Sequence, residues 1–224
     1  MASLFIVATP IGNLGDITLR AIQTLKDVDV ILCEDTRVTM KLLARLEIKK
    51  PLMSFHEHSD RKRLDDILNR LREGKNLALV TDAGTPAISD PGAWLVRGVI
   101  EQLGIDVAIV SIPGPSAVVT ALAMSGFYGD EFVFMGFPPH KKGRQGFFDR
   151  VAKEERIVVL YESTHRIMKA MEDLSTRIDD RQIMLCRELT KLHETTYRGT
   201  ATEVTTALKT GSIKGEFVIV LAAV

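Results

Sequence analysis

Three segments of the sequence join an apolar run to a turn rich in glycine and proline, a pattern that supports ligand binding. They are residues 77–86, which end in TDAGTP, residues 4–16, which end in TPIGNLGD, and residues 107–116, which end in PGPS. Each reads as a strand, a turn and the start of a helix, and ligands bind beyond the carboxyl ends of parallel strands. A surface turn explains any one of them, but three of one type favour a shared crevice. None matches a phosphate-binding loop or GxGxxG, so nucleotide phosphates are poorly supported.

Titratable side chains follow other predicted strands. Glu34, Asp35 and Arg37 lie just past a strand end. They are either a structural helix start, in which the arginine pairs with an acid, or a rim of the same crevice. In the second half, two strand ends carry the richest supply of titratable groups: Glu162, His165, Arg187, Glu188 and Lys191. Ordinary ion pairs and proton-transfer groups both fit these positions.

Two further charge patterns suggest binding sites. His56-Glu57-His58 lacks the spacing of a helical zinc motif, and no third ligand follows at zinc spacing, so no metal is predicted. Residues 140–144, HKKGR, form the densest positive cluster of the chain. They are either a solvated loop or a contact to a nucleic-acid backbone through Lys141, Lys142 and Arg144.

The order of elements predicts an α/β protein. In the first half, residues 1–112, strands alternate with helices capped by Asp16, Thr36 and Asp60, which favours a mostly parallel sheet covered on both faces. In the second half, residues 113–224, Ser163 or Thr164 caps a helix, and short connections near the end favour antiparallel pairing.

Composition narrows the functional classes. The 224 residues are 46% hydrophobic and 26% charged, so the chain can bury a substantial core. Lys and Arg equal Asp and Glu at 29 each, so a nucleic-acid partner must be met by a local patch. Cys33 and Cys186 lie in apolar runs and are predicted to be buried thiols. Without a signal peptide or an apolar span of membrane length, a cytoplasmic protein with no membrane partner is expected.

Six motifs in order carry a family resemblance from about residue 3 to the last residue: TPIGNLGDIT, CEDTR, TDAGTP, PGPS, YESTHR and RELTK. Together they resemble the bacterial 16S rRNA cytidine 2′-O-methyltransferases of the tetrapyrrole methylase superfamily. The resemblance implies two α/β domains joined near residues 111–115, with S-adenosylmethionine held in the cleft between them. It also implies a homodimer that acts on 16S rRNA, within the small ribosomal subunit.

The resemblance also assigns residues. Those expected to contact the methyl donor are Pro10, Asp82, Gly84, Thr85, Ile88, Ser116 and Ala117. The proton of the acceptor hydroxyl needs a base, for which Asp35, Glu188 and Lys191 are candidates, with Arg37 orienting a phosphate or carboxylate. The sequence does not rank them. Relatives commonly continue into a small helical C-terminal domain, whereas this sequence stops at Val224, so the manner of RNA docking is left open.

Two other functions compete with RNA methylation. One is a small-molecule methylase of the same fold acting on a tetrapyrrole, although the first loop reads PIGNLGD where such enzymes usually show GxGPGD. The other is a noncatalytic RNA-binding assembly protein, against which the near-neutral charge and the three donor loops argue.

Overall fold

The computed structural model describes residues 1–56 and 59–224, which divide into two compact units, Met1–Ser116 and Ala117–Val224. The first unit is built on five parallel strands: β1 Ala2–Val7, β2 Val30–Cys33, β3 Leu52–Ser54, β4 Leu77–Leu79 and β5 Val107–Ile112. Their order in the sheet is β3-β2-β4-β1-β5. The parallel arrangement places the carboxyl ends of all five strands at one edge.

Four helices cover both faces of this sheet: α1 Leu19–Asp27, α2 Thr36–Arg45, α3 Arg61–Arg72 and α4 Gly92–Leu103. Apolar side chains of α3 and α4, such as Leu68 and Val99, pack on one face, and those of α1 and α2, such as Leu25 and Leu43, pack on the other. The predicted parallel sheet with two covered faces is confirmed.

The second unit contains a mixed sheet. Its elements are α5 Ala117–Ser125, β6 Phe132–Gly136, α6 Arg144–Lys153, β7 Ile157–Ser163, α7 Ile167–Ser175, β8 Ile183–Arg187, β9 Thr195–Gly199, α8 Ala201–Thr210 and β10 Glu216–Leu221. The strand order is β6-β7-β10-β8-β9, and only the β6–β7 pair is parallel. Helices α6, α7 and α8 bury one face of the sheet, and α5 contacts β7 and β10. The predicted antiparallel pairing is therefore confirmed.

Three predicted helix caps are wrong. Thr18 caps α1 through a bond from the Ala21 amide, while Asp16 lies in a preceding 3-10 turn. Asp35 rather than Thr36 caps α2. No side chain caps α7, because the Thr164 hydroxyl donates to the Gly215 carbonyl instead. These misassignments shift each start by one to three residues, a common error when several capping residues lie close together in the sequence.

Other features follow the sequence more closely. Asp60 caps α3 as predicted, by accepting a bond from the Arg63 amide. Cys33 and Cys186 are buried free thiols, and burial raises the pKa of each. Among the described residues, no helix is long and apolar enough to cross a bilayer.

Candidate active site

The first two glycine- and proline-rich loops are hydrogen-bonded to each other at the carboxyl ends of β1 and β4. The Thr9 amide donates to the Gly84 carbonyl at 2.9 Å, and the Gly84 amide donates to the Thr9 carbonyl at 3.1 Å. The buried Thr9 hydroxyl donates to the Thr81 carbonyl at 3.2 Å. Pro10 and Asp82, both candidate donor contacts, are therefore held on adjoining loops.

The third loop adjoins the other two. The Thr85 hydroxyl donates to the Pro115 carbonyl at 3.1 Å, and the Ala8 amide donates to the Ile112 carbonyl at 3.2 Å. A Cβ added to Gly114 would lie 3.0 Å from the Ala8 Cβ, so the two backbones approach so closely that a side chain there would require one of them to shift. The structure thus brings together, within the first unit, the three loops that the sequence predicted to share a crevice.

Residues 84–92 have an internal support that the sequence reasoning missed. The Asp90 carboxylate oxygen Oδ1 accepts the amides of Ala87 at 2.9 Å and Gly92 at 2.7 Å. It does so although Ala87 and Ser89 have left-handed φ values of 70° and 64°, a costly conformation for residues other than glycine. The Asp-Pro-Gly turn in the sequence was the signal for this support. It leaves the side chain of Ile88 exposed on the same loop.

We expect Asp90→Ala to lower the free energy of unfolding by about 2 kcal/mol, because two amides lose a charged acceptor. Asp90→Asn keeps an oxygen at the Oδ1 position and should lose less than half as much. Urea unfolding measures the cost. Amide hydrogen exchange locates it, because protection should fall at Ala87 and Gly92. Equal protection in the alanine variant and the wild type would contradict the assigned support.

Asp35 and Arg37 form an ion pair at the start of α2. The Arg37 Nη2 lies 2.6 Å from the Asp35 Oδ2, and its Nε donates to Oδ1 at 3.0 Å. The side-chain bond from Arg37 is the main cause that lowers the pKa of Asp35 to about 2. Asp35 is therefore ionised at neutral pH but is a weak base. The side chain of Arg37 is 83% exposed and is available to a further anion.

Asp82 connects this pair to the loop after β4. Its Oδ1 accepts the Asp35 backbone amide at 3.2 Å. Partial burial raises the pKa of the Asp82 carboxyl, in contrast to the lowered pKa of Asp35. Asp35, Arg37 and Asp82 therefore form one polar group at the strand ends, whereas Glu188 and Lys191 belong to the second unit.

Glu188 and Lys191 are bonded to each other. The Lys191 Nζ lies 2.8 Å from Glu188 Oε1 and 2.9 Å from Glu216 Oε2. Burial alone would lower the pKa of Lys191, but the bonds to the two carboxylates prevail and raise it. Burial likewise opposes the net lowering of the Glu188 pKa that the bond from Lys191 produces. The pKa of Lys191 is therefore raised, so its ammonium group is a poor proton acceptor at neutral pH.

The positive cluster at residues 140–144 is divided by the fold. Lys141 and Lys142 are exposed, but Arg144 is buried, with its Nε donating to Asp173 Oδ2 at 2.8 Å. Its Nη1 donates to the Pro139 carbonyl at 3.2 Å. The prediction that Arg144 contacts RNA is therefore wrong, because its charge is used inside the second unit.

The remaining charged residues predicted from strand ends have structural partners or no assigned role. Glu162 is buried and lies 2.9 Å from the Arg166 Nε. Arg187 donates to the carbonyls of Lys214 and His193. His165 lies in the turn between β7 and α7. Over the described part of the chain, no three His, Cys, Asp or Glu side chains form a group able to hold a metal ion. Of the His56-Glu57-His58 segment, Glu57 and His58 lie outside the described residues.

Comparison with known proteins places this arrangement in a class. Residues 3–205 match the sequence profile of the Tetrapyrrole (Corrin/Porphyrin) Methylases. The chain is similar in structure to the methyltransferase CobJ, with a TM-score of 0.72 and 15% identity over 100% of this chain and 95% of the other. It is also similar to a Thermus thermophilus uroporphyrin-III C-methyltransferase complexed with S-adenyl homocysteine, with a TM-score of 0.66 and 16% identity over 99% and 97% of the two chains. At these identities the structures show the fold.

Sequence relatives define the branch. The chain is 47% identical to a Ribosomal RNA small subunit methyltransferase I of Thermotoga maritima over 99% of both chains. It is 45% identical to the protein of the same name in Synechocystis, over 99% of this chain and 79% of the relative. The chain therefore belongs to the tetrapyrrole methylase family, and within it to the branch of the ribosomal RNA small subunit methyltransferases I.

Proposed function

We propose that this protein transfers a methyl group from S-adenosylmethionine to the 2′-hydroxyl of a cytidine in the decoding region of 16S rRNA. The names of the relatives support methylation of small-subunit rRNA. The observation that carries the proposal is the joining of three strand-end loops by the Thr9–Gly84 and Thr85–Pro115 hydrogen bonds. The cytidine and the ribose position rest on the resemblance of the six motifs.

The residues of these loops fit the methyl donor. When bound, S-adenosylmethionine supplies an electrophilic methyl group on a sulfonium, which favours carbonyl oxygens and few bulky side chains around it. Gly84 and Gly114 add no side chain to these loops and let them pack closely, since an added Cβ would lie 3.3 Å from Ile11 Cγ2 at the first and 3.0 Å from Ala8 Cβ at the second. We assign donor contacts to the loop residues Pro10, Asp82, Gly84, Thr85, Ile88 and Ser116, and to Ala117 at the start of α5.

Transfer to a hydroxyl requires alignment of the two reactants and loss of the hydroxyl proton. Positioning is the main contribution that we assign to the protein. Asp35 is held ionised by Arg37, so it can accept a proton only late in the transfer, when the hydroxyl has become strongly acidic. The exposed guanidinium of Arg37 suits a phosphate of the RNA backbone. Glu188 and Lys191 remain candidates for the base. The ion pair between them stabilises the charged form of each side chain, which weakens each as a proton acceptor.

The chain has no net charge, so its overall field does not attract RNA. We therefore assign RNA binding to local positive patches and to recognition of the shape of the RNA. Lys141 and Lys142 are exposed and provide one such positive patch. The acceptor is proposed to be the assembled small subunit, whose neighbouring surfaces add specificity. The homodimer and the cytoplasmic location implied by the sequence remain predictions.

The test is methylation of small ribosomal subunits with S-adenosylmethionine labelled on the methyl group. We expect one labelled cytidine in 16S rRNA. Because alkali cleaves RNA through the 2′-hydroxyl, a 2′-O-methyl group should leave the label in an alkali-resistant dinucleotide. Digestion followed by mass spectrometry then gives the nucleotide and its position.

Other outcomes separate the competing functions. Label on a base would reject the ribose assignment. Label on a tetrapyrrole but not on rRNA would favour the small-molecule methylase. Binding of subunits without binding of S-adenosylhomocysteine, the demethylated product, would favour the noncatalytic protein. Subunits that already carry the modification serve as the negative control.

A further inference from the structure

The first unit contains a cavity between the loop that follows β1 and helix α2. Its volume is about 190 Å³, and its apolar wall includes Pro10, Val38 and Leu42. Whole drug-sized ligands generally occupy at least ~300 Å³, so this cavity suits one ring system rather than a complete small molecule. A macrocycle is far too large for it.

The cavity adjoins the proposed donor loops without coinciding with them. Pro10 and Asp82 belong both to the cavity wall and to the residues assigned to the donor. Gly84, Thr85 and Ile88 are not part of that wall. The opposite side of the cavity is formed by α2 through Val38, Thr39 and Leu42, which are close together on one helix face. A group bound there would lie beside the donor loops.

The polar side chains of the wall offer acceptors to a ligand. The Thr9 hydroxyl donates to the Thr81 carbonyl at 3.2 Å, and the Thr81 hydroxyl donates to Glu34 Oε2 at 3.4 Å. Their remaining capacity is to accept a hydrogen bond. Asp82 adds a carboxylate. Among the described residues that line the cavity, no side chain carries an amino, guanidinium, amide or imidazole group. The wall therefore disfavours a phosphate and suits a flat group that carries N–H donors.

We propose that this cavity receives the base of the nucleotide to be methylated, and that Asp82 accepts a hydrogen bond from the exocyclic amine of cytosine. This inference rests on the proposed function, from which the class of substrate comes. Enzymes that carry out chemistry on a base remove it from its stack and bind it in a pocket, where it stacks on apolar walls and is read by a few polar groups. We extend this arrangement to an enzyme that has to hold the ribose of one chosen nucleotide beside the methyl donor. A carboxylate that accepts from cytosine N4 is an established way to distinguish it from uracil, which has a carbonyl oxygen at that position. Arg37, next to Asp82 through Asp35, would meet the adjoining phosphate.

The decisive variants lie on α2. Val38→Trp should fill the cavity, whereas Met40→Trp places the same side chain on an exposed position of the same helix, outside the cavity wall. We expect Val38→Trp to weaken binding of cytidine 5′-monophosphate by at least ~10-fold, while Met40→Trp changes it less than ~2-fold. Saturation-transfer NMR in the presence of S-adenosylhomocysteine measures binding of the nucleotide. Calorimetry shows whether S-adenosylhomocysteine itself still binds. If Val38→Trp does not fold, Leu42→Phe replaces it.

Base selectivity is the second readout. Wild-type protein should prefer cytidine over uridine 5′-monophosphate, and Asp82→Asn should reduce that preference by ~10-fold because an amide offers both a donor and an acceptor. Loss of S-adenosylhomocysteine binding in Val38→Trp but not in Met40→Trp would assign the cavity to the donor and overturn the proposal. Equal binding of the two nucleotides by the wild type would also overturn it.

The failure of this inference differs from failure of the proposed function. If wild-type protein methylates rRNA and Val38→Trp does so at the same rate, only the base pocket is wrong. If wild-type protein methylates no rRNA, the proposed function is wrong whatever the nucleotide affinities are.

Discussion

Arg144→Ala should lower the free energy of unfolding of the second unit by about 3–5 kcal/mol, the usual cost of removing one partner from a buried ion pair. The side chain of Arg144 is 4% exposed, and its Nε lies 2.8 Å from Asp173 Oδ2. Its Nη1 lies 3.9 Å from Oε2 of Glu162, whose side chain is fully buried. The guanidinium also lies 4.9 Å from the ring centroid of Phe148. The variant would therefore lose packing as well as the charge that balances two carboxylates.

Lys142→Ala is the matched control. Lys142 is exposed in the same basic segment, where substitutions usually change stability by less than ~0.5 kcal/mol. Urea unfolding of the two variants measures the difference. A loss for Arg144→Ala no greater than that for Lys142→Ala would show that the buried pair does not stabilise the unit.

The cost should depend on pH in a defined direction. Burial raises the pKa of Glu162 even with Arg144 and Arg166 beside it, and removal of Arg144 should raise it further. A carboxyl whose pKa is higher in the folded state binds more protons there, so its contribution to stability falls as pH rises through that range. The difference in free energy of unfolding between Arg144→Ala and the wild type should therefore become smaller as pH falls from neutral toward ~4, where a Glu side chain in the unfolded state titrates. Unfolding curves across this range test the direction.

The strands, helices and strand-end loops were predicted better from the sequence than the side-chain contacts that stabilise them. Strands and helices are written in local apolar periodicity, and the three strand-end loops have a local glycine and proline signature. Their proximity followed from one rule, that parallel strands end at a common edge. Strand β3, Leu52–Ser54, was missed because it includes a polar serine and lacks the run of four apolar residues that indicated β4 at residues 77–80.

The charged residues show why the rest could not be predicted. Arg144 stands in a run of basic residues, yet its partner Asp173 lies 29 positions away. Lys191 likewise bonds Glu216, 25 positions away. Whether a charge faces water or a buried partner depends on such long-range contacts, which no local pattern contains. The same holds for the cavity that we propose as a base pocket, whose wall combines the loops after β1 and β4 with helix α2.

Gly84→Val should lower affinity for S-adenosylhomocysteine by at least ~10-fold, which corresponds to 1.4 kcal/mol or more. Gly84 has φ +83°, and its Cβ would lie 3.3 Å from Ile11 Cγ2 before any valine methyl is added. The loops after β1 and β4 would have to separate, which would break the two hydrogen bonds between Thr9 and Gly84. Because the proposed donor site is formed by these loops, their separation should remove its shape.

Gly74→Val separates this crowding from backbone strain. Gly74 follows α3 with φ +84°, nearly the same value, but has nothing within 4 Å of an added Cβ. Both variants should lose a similar ~1–2 kcal/mol of stability to the left-handed conformation, since that penalty depends on the backbone. Calorimetry on folded samples should then find normal affinity for S-adenosylhomocysteine in Gly74→Val and reduced affinity in Gly84→Val. Normal affinity for S-adenosylhomocysteine in both variants would show that the donor does not bind at these loops. An equal loss of affinity in both would show that the effect comes from general destabilisation.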